Sequence, residues 1–397
     1  MYWFSRKKKK ITPVNGLILP GGGARNAYQA GVLRAIADML PADVVNPFPV
    51  MCGTSSGAIN AAVLASNALQ FSEGVRRLSG IWENFHCGKV FYTDSWKALK
   101  SGLRWTTAFA TARLGTAGPR ALLDNAPLRT MIESHIRFAR IQQAIDSGAL
   151  RALAVNASSY TSGHSISYYQ GREDLTPWQR ARRFGIPQEI GIDHLMASSA
   201  IPLVFPAVWL NNEYHGDGSM RQNAPLSPAI HLGASRLLII GVRNPVPDSV
   251  PAGEADVPYP SIGQITGYML DTIFMDALDA DIERMSRINH VLTEVRGNHI
   301  EFEDTTLKPI DFLLISPSRD IREIAERHAR DFPRSVRLLL KGLGALTHEG
   351  RPLLSYLLFE APFCRELIKL GYQDGLNARA EILEFLDLDA AAMDAQS

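Results

Sequence analysis

An α/β fold on a mostly parallel central sheet is predicted by three features of this 397-residue chain. Two strand–turn–helix units follow one another near the N-terminus, short apolar runs of buried-strand length recur further on, and the stretches between and after them are largely helical in pattern. Composition agrees. With 46% hydrophobic residues, 20% charged residues and a formal net charge of +1, the chain is globular and long enough to bury a full core. Disorder is excluded, and no bulk charge points to nucleic acid. The 31 glycines and 23 prolines recur with no fixed period, so collagen-like and low-complexity classes drop out. Cys52, Cys87 and Cys364 form an odd set at wide spacing, which suggests neither a disulfide framework nor a zinc ribbon. A reducing, cytoplasmic location is the expectation. No run approaches the roughly 18 consecutive apolar residues of a bilayer span.

The elements follow in order. Residues 14 to 20 form an apolar run ended by Gly21-Gly22-Gly23, a buried strand stopping at a tight turn. A helix is predicted from Ala24 to Leu40, because Ala27, Ala30, Leu33, Ile36, Ala37 and Leu40 share one face, with small residues near its start allowing close approach to a sheet. The pattern repeats as a strand from Phe48 to Cys52, a turn at Gly53-Thr54-Ser55-Ser56-Gly57 and a helix from Ala58 to Ser66. Residues 71 to 147 read as mostly helical, interrupted at Gly115 to Pro119 and restarted at Ala126-Pro127-Leu128, where proline suits a first helical turn. Leu150 to Ser158 and His164 to Gln170 read as a hairpin, which makes the sheet mixed. A helix over Gln188 to Ser199, extended chain from Val204 to Tyr214 and a turn at His215-Gly216-Asp217-Gly218 come next. They are followed by a short helix at Leu226 to Leu232 and a strand at Arg236 to Val242. After the Pro-rich stretch, Ile262 to Ile288 is helical, Ile310 to Ile315 is a strand, and amphipathic helices complete the chain. The expected division is a basic tail (1–12), a catalytic core (13–245), a linker (246–260) and a helical C-terminal part (261–397) that completes or extends the same domain.

Gly53-x-Ser55-x-Gly57 between a strand and a helix is the pattern of a nucleophile elbow, in which glycines leave room for a turn that projects a serine hydroxyl. The alternative is a helix start merely capped by Ser55 or Ser56. At the other junction, Gly21 to Arg25 fits neither a dinucleotide fingerprint nor a phosphate-binding loop, since the sixth position is Asn26 and no Gly-Lys-Ser/Thr follows. An oxyanion hole of backbone N–H groups survives, beside a plain glycine turn. Arg25 could hold that loop or meet a phosphate. The base for a serine is either a histidine (His164, His194, His215 or His231) or Asp217. Cys52 reads as a small buried residue. Trp96 to Arg113, with its tryptophans and arginines, reads either as an interfacial or lid helix or as core.

Taken together, Gly21 to Arg25, Gly53 to Gly57, Ala197-Ser198-Ser199-Ala200-Ile201-Pro202 with Phe205-Pro206, and Asp217-Gly218 resemble the patatin-like lipid acyl hydrolases. Tyr28 to Leu33, Pro127-Leu128 and Arg221 to Leu226 are further similarities, and Gly371-Tyr372 is similar to longer bacterial members. The resemblance implies a three-layer α/β/α fold and a Ser-Asp dyad of Ser55 and Asp217. It also implies an oxyanion hole at Gly21, Gly22 and Gly23 with Arg25, and elbow glycines at Gly53 and Gly57. Asn26 stands where the family usually has glycine, and Ser219 where it has glycine or alanine. The implied activity is hydrolysis of fatty-acyl esters of phospholipids or related lipids without cofactor or metal. A Ser-His-Asp esterase using a histidine such as His215, and a non-catalytic membrane-associated protein, are the alternatives. The expected partner is a lipid substrate. Peripheral contact with an anionic membrane is a further expectation, carried by the aromatic and basic run Met1 to Lys10, whose plain alternative is a frayed terminus.

Overall fold

The computed structural model describes residues 13–41, 43–93, 121–244, 259–297, 307–347 and 350–388. The basic tail, the Trp96 to Arg113 stretch, the Gly115 to Pro119 loop and nearly all of the Pro-rich linker lie outside the described residues.

The two N-terminal units form as the apolar runs predict. Strand β1 (Asn15–Leu19) leads through the glycines and a short 3-10 turn (Gly23–Asn26) into helix α1 (Ala27–Met39). Strand β2 (Val50–Thr54) leads into helix α2 (Ser56–Ala65), and helix α3 (Phe71–Glu83) follows. The remaining strands are β3 (Ala152–Ser159), β4 (Ser165–Gly171), β5 (Trp178–Arg180), β6 (Arg183–Pro187), β7 (Val208–Leu210), β8 (Glu213–Asp217), β9 (Arg236–Ile240) and β10 (Asp311–Ile315). Their order across the sheet is β10-β9-β1-β2-β3-β4-β6-β5, with β8 also pairing with β3 and carrying β7. From β10 to β3 every pair is parallel, whereas β3–β4, β3–β8, β7–β8 and β5–β6 are antiparallel. The sheet is therefore mixed and mostly parallel at its centre.

Side-chain alternation along these strands builds two separate cores. Leu17, Leu19, Met51, Leu153, Val155, Leu238 and Ile240 face α1, α2, α3 and the helix Ala361–Asn377 in the larger core. Ile18, Val50, Cys52, Ala154, Leu237 and Ile239 face the smaller one, under Ala229 of the helix Ser227–His231 and Leu278 and Met285 of the helix Ala277–Gly297. A sheet covered by helices on both faces is a three-layer arrangement. The small residues of α1 serve a neighbouring helix: a Cβ on Gly31 would collide with the Ile368 carbonyl, and one on Gly371 with that of Tyr28.

Several boundaries differ from expectation for local physical reasons. The turn assigned to His215 to Gly218 is the end of β8, and the hairpin turn sits at Asn211-Asn212, both at positive φ (51° and 62°). Such a two-residue turn needs left-handed residues, which asparagine tolerates. The predicted helix from Gln188 starts only at Ile192 and runs to Ser198, because Gln188 and Ile190 give their N–H groups to Tyr169 O and Gln170 Oε1. The helix from Ile262 is broken at Thr272–Asp276 by a π-helical turn before Ala277–Gly297. Strands β5 and β6 had no clear alternating pattern and were not foreseen. Among the described residues no helix is long and apolar enough to cross a membrane.

Candidate active site

Ser55 stands between the last residue of β2 and the first of α2, with φ 55° and ψ −131°. A non-glycine residue held there costs about 1–3 kcal/mol, which the surroundings must overcome. They do so by contact and by hydrogen bonding. A Cβ on Gly57 would run into the carbonyl oxygens of Leu19 and Pro20, and one on Gly53 into Ala58 and the Gly57 carbonyl. Glycine at both positions therefore lets α2 start hard against β1. The Ser55 N–H donates to Ser198 Oγ at 2.8 Å, and the Ser198 hydroxyl donates to the Asn156 carbonyl at 2.6 Å. Beneath the turn, Asn156 Nδ2 donates to Gly53 O (3.1 Å) and Thr54 Oγ1 (3.0 Å), and Thr54 Oγ1 donates to Gln222 Oε1 at 2.7 Å.

Asp217 reaches the same place from far along the chain. It ends β8, pairs with Ala157 of β3, and donates its N–H to Ala200 O at 2.9 Å. Its carboxylate is fully buried, and Oδ1 accepts the Ser219 N–H at 2.9 Å. Burial raises its pKa to about 6, opposed by hydrogen bonding from Ser55 and Ser219. The contact with Ser55 is loose, since Oδ2 has no partner within strict hydrogen-bond geometry. Ser219, the departure from the family pattern, touches the Asp217 carboxylate through its backbone and hydroxyl, and a Cβ on Gly21 would stand 2.8 Å from its Oγ.

The glycine loop lies across from Ser55. Gly23 (φ +56°) lines the cavity, Gly21 faces Phe274 and Ser219, and Gly22 packs on Asn26 and Val242. Asn26 Nδ2 donates to Pro20 O at 2.9 Å, Gln29 Nε2 donates to the same carbonyl at 3.1 Å, and Asn60 Nδ2 donates to Gln29 Oε1 at 2.9 Å. Asn26 thus replaces a glycine with a brace. Arg25, expected with the oxyanion loop, lies in the 3-10 turn that continues it. Its guanidinium is buried and turned from the cavity, donating from Nε to Ser355 Oγ at 2.8 Å, because a buried cation must be paired.

Ser55 opens on a cavity whose empty space, part of it open to solvent, is about 520 Å³. Its walls are mostly apolar, including Ile59, Val63, Leu78, Trp82, Phe205 and Phe359. The histidines are engaged elsewhere. His215 Nδ1 donates to Glu213 O (3.1 Å) and Nε2 lies 3.0 Å from Tyr168 Oη, so both ring nitrogens are occupied. His231 stacks on Trp178, His164 packs on Phe184, and His194 Nδ1 accepts the Gly191 N–H. Cys52 is a free, buried thiol whose pKa burial pushes up, in keeping with a packing role. Ser198, Asn156, Gln222 and Asn60 were not singled out from the sequence. Ser198 and Gln222 lie within the stretches Ala197 to Pro202 and Arg221 to Leu226, but nothing in their spacing marks them.

Fold and site together define an α/β protein with a serine on a strained strand-to-helix turn at the mouth of an apolar cavity. The model of the Patatin-like phospholipase family matches residues 17–230, more than half of the chain, and the chain belongs to that family. Among curated proteins it is similar to the calcium-independent phospholipase A2-gamma of Rattus norvegicus, 24% identical over 232 residues, covering 56% of this chain and 27% of that protein. The Oryctolagus cuniculus protein of the same name is also 24% identical, with 56% and 26% covered. The chain thus spans about a quarter of the length of these relatives. Among solved structures it is similar to VipD from Legionella pneumophila, with 13% identity, a TM-score of 0.38, and 95% of this chain and 67% of that one covered. For human GIVD cytosolic phospholipase A2 in complex with methyl gamma-linolenyl fluorophosphonate the values are 13%, 0.43, 97% and 60%.

Proposed function

We propose that this chain is a serine lipid acyl hydrolase that cleaves fatty-acyl esters of phospholipids or related lipids through Ser55 and Asp217. The observation that carries the reading is Ser55 on its strained turn, beside a buried carboxylate of pKa about 6, at the mouth of an apolar cavity. In this mechanism the Ser55 hydroxyl attacks the ester carbonyl while Asp217 takes its proton, forming a tetrahedral intermediate. Backbone N–H groups of the Gly21 to Gly23 loop meet the oxyanion, each such donor being worth about 3–4 kcal/mol. Collapse expels the alcohol, which recovers the proton, and water hydrolyses the acyl-enzyme. A carboxylate of pKa about 6 is a better base than an ordinary aspartate and remains ionised at neutral pH. The walls suit a hydrocarbon chain. By likeness to the calcium-independent relatives, turnover needs no calcium.

Reaction with a fluorophosphonate probe followed by peptide mass spectrometry, then a panel of phospholipids and acyl esters, tests this. Labelling at Ser55, loss of labelling and turnover in Ser55→Ala, and undiminished release of fatty acid in chelator are expected. Adduct at another residue, or no turnover across the panel, refutes the reading. The action is proposed to be peripheral at an anionic membrane through Met1 to Lys10, and deleting those residues is expected to weaken sedimentation with anionic liposomes.

A further inference from the structure

Behind the glycine loop lies a cluster that the family match does not reach, since its members other than Arg25 lie beyond residue 230. Arg25 Nη2 pairs with Asp271 Oδ1 at 3.0 Å, and the same oxygen accepts the Tyr356 hydroxyl at 2.7 Å. The Tyr356 ring lies under the guanidinium, 3.9 Å from centroid to Cζ, and Ser355 Oγ accepts from Arg25 Nε. Two of these elements also press on the loop itself. Gly23 sits so close to Tyr356 that a Cβ would collide with its carbonyl oxygen. Phe274, on the π-helical turn, packs against Gly21 and, at 5.2 Å between centroids, against the Tyr356 ring. A π-helical turn inside a longer helix is a local distortion that often marks a functional region, and here it sets Phe274 on the loop.

We propose that Asp271, Phe274 and Tyr356 are positioning residues that hold Gly21 to Gly23 in the shape an oxyanion site needs, which makes the C-terminal part integral to catalysis. This rests on the lipid acyl hydrolase reading above. The reason is geometric. Three consecutive glycines have little conformational preference, so N–H groups aimed at one developing charge must be fixed from outside. Arg25 is the lever: a buried guanidinium held by a carboxylate, a hydroxyl and an aromatic face cannot move without carrying the backbone two residues upstream.

The test is steady-state hydrolysis by the full chain of an ester that the wild type turns over. Tyr356→Phe keeps the ring but removes the bond to Asp271, and is expected to lower kcat about tenfold with KM within about twofold. Asp271→Asn is expected to lower kcat about a hundredfold, Asp271→Glu to recover part of that loss, and the double variant to be little worse than Asp271→Asn alone. Tyr28→Phe is the control, because it removes a buried Tyr–Asp bond (Tyr28 Oη to Asp374 Oδ2, 3.0 Å) away from the loop. It should lower melting temperature and leave kcat unchanged. If Asp271→Asn does not fold, the near-isosteric Tyr356→Phe decides. An unchanged kcat in Tyr356→Phe, or an equal fall in Tyr28→Phe, overturns this inference while leaving the hydrolase reading standing. An inactive wild type unlabelled at Ser55 overturns both.

Discussion

The two loops that flank the cavity, Gly53–Gly57 and Gly21–Gly23, are both glycine-rich strand-to-helix turns, yet they are held in opposite ways. At the elbow the glycines are buried against backbone, so the shape is set by main-chain contact within two adjacent strand–helix units. Side chains add Ser198 on the Ser55 N–H and Asn156 on the Gly53 carbonyl. At the glycine loop Gly23 alone is pressed on backbone, the Tyr356 carbonyl, and side chains from several regions do the rest of the holding: Asn26 and Gln29 on Pro20, Phe274 on Gly21, and Arg25 with its partners behind Gly23. Backbone contacts are unforgiving of a single added methyl group. Side-chain braces can be removed one at a time, so the elbow should fail abruptly and the glycine loop by degrees.

The largest expected effect concerns the group that faces the elbow. Asp217→Asn should cost about a thousandfold in kcat/KM, near 4 kcal/mol of transition-state stabilisation. In the wild type, kcat/KM should rise with pH up to about 6 and then level off, since in the proposed mechanism the ionised carboxylate takes the proton. Stability should move the other way. A carboxylate whose folded pKa is raised from 3.8 to about 6 leaves the native state holding the extra proton between those values, so stability falls as pH rises through that window. The displacement corresponds to about 3 kcal/mol, and Asp217→Asn should escape it. Denaturant unfolding at pH 4.5 and 7.5 checks this, and an equal gain at both would contradict the buried charge.

Next comes Gly57→Ala, expected to cost about 3 kcal/mol or to prevent folding, because the obstructing Leu19 and Pro20 carbonyls are backbone. A variant of normal melting temperature would break the contrast drawn between the loops. Ser198→Ala should cost about 2 kcal/mol by stranding the buried Ser55 N–H, with a matching drop in rate of fluorophosphonate labelling. Smallest is Asn26→Gly, which restores the usual family residue. It removes the bond to Pro20 but also the unpaired Asn26 Oδ1, so about 1 kcal/mol is expected, and calorimetry should find the protein folded.

Much of the sheet was legible because its central strands are continuous apolar runs between glycine punctuation, as in Leu17-Ile18-Leu19 and Leu237-Leu238-Ile239-Ile240. The hairpin of β3 and β4 was legible for the same reason, with its turn near Ser159 to His164. What escaped were elements whose cause is not periodic. Strands β5 and β6 depend on Trp178 lying over Gly185, and the π-helical turn at Thr272–Asp276 interrupts a sequence that reads as one unbroken helix. At the site, Ser55, Asp217 and the three glycines were marked by motif. Their supports were not, because a buried serine or asparagine has no sequence pattern until its neighbours are known.

By itself, then, the amino-acid order determined the alternation that gives the sheet two cores, the glycines that permit close backbone approach, and a serine between strand and helix. These follow from steric and hydrophobic rules acting over a few residues at a time. Only the tertiary structure decided that Asp217 would arrive beside Ser55 buried and with a raised pKa, that His215 would be occupied by Tyr168 and Glu213, and that Arg25 would face away from the cavity. Desolvation, pairing and direction are properties of surroundings assembled from distant parts of the chain, and they exist only once those parts have packed.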